Sequence, residues 1–90
     1  MRVKFLAYLR DFTNCAEAEV PPAPTVGDLA RALCERYGPQ FREKLFMPNG
    51  ELGEEIVIMV NGRHIVHLGG LDAPLRDDDI VQMFPLVTGG

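Results

Sequence analysis

Thr25-Val26-Gly27-Asp28-Leu29-Ala30-Arg31-Ala32-Leu33-Cys34-Glu35-Arg36-Tyr37-Gly38-Pro39 is the stretch on which the fold turns. Thr25 stands three residues ahead of Asp28, a Ser/Thr-x-x-acid pattern. The hydroxyl accepts from backbone N–H groups at a helix start, and the carboxylate favours the positive end of the helix. Val26, Leu29, Ala30, Leu33, Cys34 and Tyr37 recur at i, i+3, i+4, i+7, i+8 and i+11 and lay down one apolar stripe, which Gly38-Pro39 brings to a stop. A helix with one such stripe needs a single apolar surface to cover.

The flanking sequence supplies that surface as strands. Upstream, Ala16 to Val20 alternates with Glu17 and Glu19 outward, and Pro21-Pro22 ends the run. Arg2 to Arg10 also alternates, with Val3, Phe5, Ala7 and Leu9 on one side, so a first strand joined through a turn at Asp11–Asn14 into a hairpin is expected. The outward glutamates are a solvated edge that blunts unwanted strand pairing. Downstream, Phe41, Leu45 and Phe46 fit a short second helix, and Met47-Pro48-Asn49-Gly50 is dense in turn formers. Pro39 to Gly53 is accordingly expected to be a surface excursion. Ile56 to Val60 is a strand with Ile56, Ile58 and Val60 toward the core and Val57 and Met59 away from it. Asn61-Gly62 demands a type I′ turn, from which a strand from Arg63 to His67 returns. Leu71 to Leu75 predicts a tight turn or 3₁₀ segment, and Asp77-Asp78-Asp79 a turn launching a last strand, Ile80 to Phe84. The order implies an α+β fold: a mixed sheet of about five strands with one main helix across one face. One domain, 1–90, with a flexible tail at 86–90, accommodates the whole chain.

A net charge of −4, with nine scattered Lys and Arg, argues against a nucleic-acid partner. Arg2, Lys4 and Arg10 interrupt the apolar amino end, leaving neither a signal core nor a membrane span, so a cytoplasmic location is expected. Cys15 and Cys34 lack zinc or redox spacing, and Cys34 falls on the apolar side of the helix as a small hydrophobe. His64 and His67, on opposite faces of the expected strand, make a poor metal pair, and the aspartate triplet has no companion ligands. No metal site and no bound cofactor are expected. There is no serine nucleophile, no phosphate loop and no local Cys–His pair, so the chain is not expected to be an enzyme by itself.

What remains chemically distinctive is the end, Phe84-Pro85-Leu86-Val87-Thr88-Gly89-Gly90. Gly89 and Gly90 have no Cβ and fit a channel too narrow for side chains, while Pro85 and Val87 hold the approach extended. The group presented is the α-carboxylate, a poor electrophile until activated, for example as an acyl-adenylate.

Val60-Asn61-Gly62-Arg63, Gly70-Leu71-Asp72-Ala73-Pro74-Leu75, Asp77-Asp78-Asp79 and Phe84 to Gly90, in that order and spacing, resemble the MoaD/ThiS family of ubiquitin-like sulfur carriers. The resemblance implies a β-grasp fold. It further implies that Gly90 is adenylated by an E1-like enzyme of the MoeB/ThiF type, which uses ATP, and is then converted to a thiocarboxylate by way of a sulfur donor. Gly89, Thr88, Val87, Leu86 and Pro85 would thread with it. The Phe-Pro ending most resembles the MoaD branch, the non-catalytic small subunit of molybdopterin synthase, whose tail enters a MoaE-type large subunit and supplies sulfur for the molybdenum or tungsten cofactor. Alternatives in the same chemistry are sulfur delivery to thiamine thiazole or cysteine synthesis, and a ubiquitin-like modifier joined through Gly90 to a lysine. A binding module with an idle tail is the remaining alternative. On the sheet face away from the helix, Leu6, Tyr8, Met59, Ile80 and Phe84 are the expected docking residues for these partners.

Overall fold

The computed structural model describes residues 1–86. In chain order the elements are β1 (Arg2–Phe5), α1 (Leu9–Thr13), β2 (Glu17–Glu19), α2 (Val26–Tyr37), α3 (Pro39–Leu45), β3 (Ile56–Val60), β4 (Arg63–His64), two 3₁₀ turns (Ile65–His67 and Gly70–Asp72) and β5 (Ile80–Pro85). The strands form one five-stranded sheet in the order β2-β1-β5-β3-β4. β1 and β5 pair in parallel, with Val3 opposite Val81 and Phe5 opposite Met83, while the other pairs are antiparallel. The fold is thus the expected α+β architecture, a ubiquitin-like β-grasp.

The helix signals operate as the sequence implies. Asp28 N–H donates to Thr25 Oγ1 at 3.2 Å, and the Thr25 hydroxyl donates to Asp28 Oδ2 at 2.9 Å. Such a cap contributes about 1 kcal/mol. Hydrogen bonds from Arg31 and Thr25 hold the Asp28 carboxyl below its ordinary range. α2 buries Val26, Leu29, Ala30, Leu33 and Cys34 against Val3, Phe5, Ile58, Val60, Val81 and Met83 of the sheet. Its first turn is pinned to the second 3₁₀ turn: Val26 N–H donates to Ala73 O, and a Cβ on Gly27 would stand 3.1 Å from Leu71 O. That close approach is what the glycine permits. Asn61 and Gly62 take φ of 51° and 83°, as a type I′ turn requires. The Asn61 side chain adds a clamp, donating to Asp79 Oδ1 and accepting from Ile80 N–H.

Three expectations need correction. β1 stops at Phe5, not Arg10, because Ala7 turns the chain through the left-handed region at φ 54° and Leu9 opens a short helix. Leu9 still reaches the core, but from α1, while Ala7 lies exposed; α1 replaces the expected turn between β1 and β2. The Pro39 to Gly53 segment is not an excursion over the surface: α3 drives Phe41 and Leu45 fully into the core. The strand after Asn61-Gly62 keeps only Arg63 and His64 before tightening into 3₁₀, where His64 Nδ1 accepts from Val66 N–H. His64 and His67 therefore come edge to face at 6.4 Å between ring centroids instead of pointing to opposite faces. Val57 faces away from the helix-covered core as expected and stays outside the main cluster, yet it is buried.

Candidate docking face and carboxyl-terminal exit

Strand alternation sends Arg2 and Lys4 of β1, Val57 and Met59 of β3, and Ile80, Gln82 and Phe84 of β5 to the sheet face that α2 leaves uncovered. Register places Val57 opposite Phe84, and Met59 opposite Gln82 with His64 on its other side. Leu6, one residue past β1, prolongs the ladder by donating its N–H to Met83 O at 3.0 Å, and its side chain is 41% exposed. Leu6, Phe84 and Val57 therefore form a row across three strands, with Met59 diagonally next to it. Burial of Val57 follows from that row: its neighbours shield it on a face that no helix covers.

Ile80 is also exposed, but it lies four residues from Phe84 along β5, about 13 Å away, beside Arg2. Tyr8 is not on this face. It precedes the first turn of α1 and packs half-buried against the core, with Lys44 Nζ 5.8 Å from its ring centroid. The expectation of a strand through Arg10 misplaced it. Val57, conversely, is the member that sequence reasoning missed; strict alternation places it on this face, but only the register sets it beside Phe84.

Pro85 is not part of a free tail either. It closes β5 opposite Ile56 and is buried, which proline tolerates because the pair lies at the strand end. Leu86 N–H then donates to Glu55 O, and the Leu86 side chain is 52% exposed. The chain leaves the sheet at Leu86, at the apolar end of the uncovered face. Val87, Thr88, Gly89 and Gly90 lie outside the described residues.

The opposite edge of this face is polar. Arg2 Nε lies 3.0 Å from Glu17 and 3.7 Å from Glu19, exposed ion pairs of small energetic weight that keep the β2 edge charged. Cys15 and Cys34 are both free thiols; burial pushes the Cys34 thiol up, against a smaller lowering influence of Arg42. Among the described residues no group of three His, Cys, Asp or Glu could hold a metal ion, and no helix is long and apolar enough to cross a membrane. What the arrangement offers is an apolar surface from which the chain continues toward Gly89-Gly90.

A β-grasp sheet whose last strand runs centrally, parallel to the first, and leads into Gly89-Gly90 defines the class of small ubiquitin-like carriers and modifiers. The chain belongs to the ThiS family, whose model matches residues 3–90. It is 38% identical to small archaeal modifier protein 3 of Haloferax volcanii over 92 aligned positions, covering all of this chain and 98% of that protein. Among solved structures it resembles small archaeal modifier protein 1 of Methanosarcina acetivorans with a TM-score of 0.86 and 32% identity, over 99% of this chain and 94% of that one. It also resembles a candidate molybdopterin converting factor subunit 1 of Pyrococcus furiosus, with a TM-score of 0.71 and 29% identity over 96% and 95% of the two chains.

The patch carries a direct expectation. If a partner protein docks on this face, Met59→Glu or Phe84→Glu should weaken its binding by about 30-fold, the loss expected of a central hot-spot residue, while the far-UV circular dichroism stays that of the parent. Both side chains are half-buried at the surface, so charge there alters the face and not the core. Unchanged affinity in a folded variant would remove the patch from the interface. Ile80→Glu, at the far end, should have a smaller effect.

Proposed function

We propose that this protein is a sulfur carrier whose Gly90 carboxylate is activated and converted to a thiocarboxylate, the sulfur passing to a MoaE-type large subunit of molybdopterin synthase. The observation that carries the reading is the exit of the chain at Leu86 from the apolar end of the uncovered sheet face, four residues ahead of Gly90, in a sequence whose family match runs through residue 90. Four residues reach at most ~14 Å when extended, enough to cross the wall of a partner while the patch docks outside it.

In the activation step a Gly90 carboxylate oxygen attacks the α-phosphorus of ATP in an E1-like enzyme of the MoeB/ThiF type, and pyrophosphate leaves. A sulfur nucleophile from the donor then adds to the acyl carbon and AMP departs, so that one oxygen is replaced by sulfur. This chain contributes the acyl group, its lack of side chains at Gly89 and Gly90, and the docking face. Nucleotide and catalytic groups belong to the partner, and the chain itself binds no cofactor. The similarity to the Pyrococcus furiosus protein supports the molybdopterin branch.

The similarity to two proteins named as modifiers favours a second reading, in which the same acyl-adenylate passes Gly90 to a lysine amine and forms an isopeptide. One experiment separates them. The full chain is incubated with an activating enzyme of proven activity, Mg-ATP and a sulfide source, with and without an acceptor subunit, and intact and carboxyl-terminal peptide masses are taken. The carrier reading expects replacement of one oxygen by sulfur confined to the peptide ending in Gly90, and loss of that sulfur when the acceptor and its pterin precursor are added. Stable Gly-Gly remnants on lysines, with no thiocarboxylate, would establish the modifier reading instead.

A further inference from the structure

The two histidines, which carrier chemistry does not use, meet at the margin of the uncovered sheet face. His64 is the cross-strand partner of Met59, so its side chain lies on that face next to it. The same ring caps the turn that follows. Val66 N–H donates to His64 Nδ1 at 3.1 Å, and Leu68 N–H donates to Ile65 O at 2.8 Å to close the first 3₁₀ turn. Ile65 anchors this turn in the core, whereas Val66 rides outside it with 64% of its surface exposed. The turn therefore has one buried hold and one surface hold, and the surface hold is an imidazole.

A backbone amide can only donate, so His64 Nδ1 must offer its lone pair, and the proton of the neutral ring is on Nε2. The imidazolium carries N–H groups at both nitrogens and cannot accept. Protonation of His64 thus turns a hydrogen bond into two donors aimed at one another. His67 adds to this: its ring stands edge to face with that of His64 at 6.4 Å between centroids, and two charged rings at that distance repel. The remaining neighbours are few. β3 brings no titratable group, and β5 brings the uncharged Gln82 on the far side of Met59. Arg63 precedes His64 and points to the other face of β4, while the second 3₁₀ turn, packed against the first, brings Asp72, which joins no ion pair among the described residues. Asp72 favours the charged ring, and Arg63 and His67 favour the neutral one. We propose that His64 is the latch of a pH-sensitive turn: neutral, it holds Ile65–His67 closed beside β3, and protonated, it releases Val66 and puts a cation next to Met59. Histidine is the side chain whose charge changes between pH 5 and 8, and the hold is present while the ring is neutral and lost as the pH falls. For partner docking the consequence rests on the reading of this face as an interface, where acidification would set charge beside the apolar row; the latch itself needs no partner.

The test uses the isotopically labelled full chain, with backbone amides, methionine methyls and histidine ring protons followed by NMR from pH 8 down to pH 5.5, above the ordinary carboxylate range. The Val66 amide and the Met59 methyl are expected to shift with the midpoint of the His64 ring. Hydrogen-exchange protection of the Val66 amide, corrected for the pH dependence of the intrinsic rate, should fall about three- to tenfold, the range for loss of one hydrogen bond. In His64→Asn the side-chain carbonyl accepts from the same N–H without titrating, so protection should stay flat across the range. His64→Ala should show the low value throughout, and His67→Gln should keep the response. The proposal is overturned if Val66 protection is constant while the His64 ring titrates, if the response survives in His64→Asn, or if it vanishes in His67→Gln. None of these readings involves a partner, so failure here is independent of failure of the sheet face as an interface.

Discussion

Deletion of Gly89 and Gly90 is expected to abolish thiocarboxylate formation and every downstream transfer, while the thermal transition of the protein stays within about 2 °C of the parent. The two halves of that result have separate causes. Removal of two residues withdraws the acyl carbon by about 7 Å and makes Thr88 the terminal residue, β-branched where glycine entered before. A misplacement of only ~1 Å already costs on the order of 100-fold in a positioned reaction, so turnover should fall below detection. Stability should be spared because the core is assembled from residues that end with Met83. Intact mass after incubation with activating enzyme, Mg-ATP and sulfide is the measurement. Retained biological activity in the truncated protein would return the chain to the idle-tail alternative.

Phe41→Ala is expected to produce the largest loss of stability, ~3–5 kcal/mol, out of a total that for a domain of this size is roughly 5–15 kcal/mol. Phe41 has no exposed surface. Its ring meets Phe5 edge to face at 6.0 Å and Tyr37 at 5.5 Å, and Phe5 meets Tyr37 at 5.7 Å, so three elements share one aromatic cluster. Truncation leaves a cavity that α3 cannot close without moving Leu45 as well. In urea the midpoint should drop with the slope unchanged, and Tm should fall by more than ~10 °C. A loss under ~1 kcal/mol would mean that α3 is an appendage to the fold, as its sequence first implies.

That contrast shows where sequence reasoning succeeds and where it stops. The α2 pattern was legible because cap, stripe and stop agree with one another over the fifteen residues from Thr25 to Pro39. The Asn61-Gly62 turn was legible because few residue pairs tolerate two positive φ values. At the amino end, apolar residues at 3, 5, 7 and 9 satisfy a strand, yet Phe5, Leu9 and Thr13 equally satisfy a helical spacing of four. The chain resolves the conflict by a turn at Ala7, which no local signal marks. In the 39–53 segment the local chemistry, rich in Pro, Gly and charge, resembles a loop, and only three-dimensional packing brings Phe41 against Phe5 and Tyr37.

The candidate site divides in the same way. Gly89-Gly90 and the blocks before it carried the family resemblance in the sequence, and they carry the proposed chemistry, because a terminal carboxylate needs no neighbours to be recognised. Met59, Phe84 and Leu6 were assignable to one face from strand alternation alone. Their union with Val57 was not, since it depends on β3 pairing with β5 and on β5 lying between β1 and β3, pairings that join residues more than twenty positions apart. Tyr8 and Pro85 were misassigned for the same reason: where a strand stops is decided by its neighbours. By itself, then, the sequence determined α2 with its cap and stop and the Asn61-Gly62 turn, each set by contacts within a few residues. Only the tertiary structure decided which apolar side chains became surface and which became core, because burial is a property of the packed layers and of register, not of the local pattern.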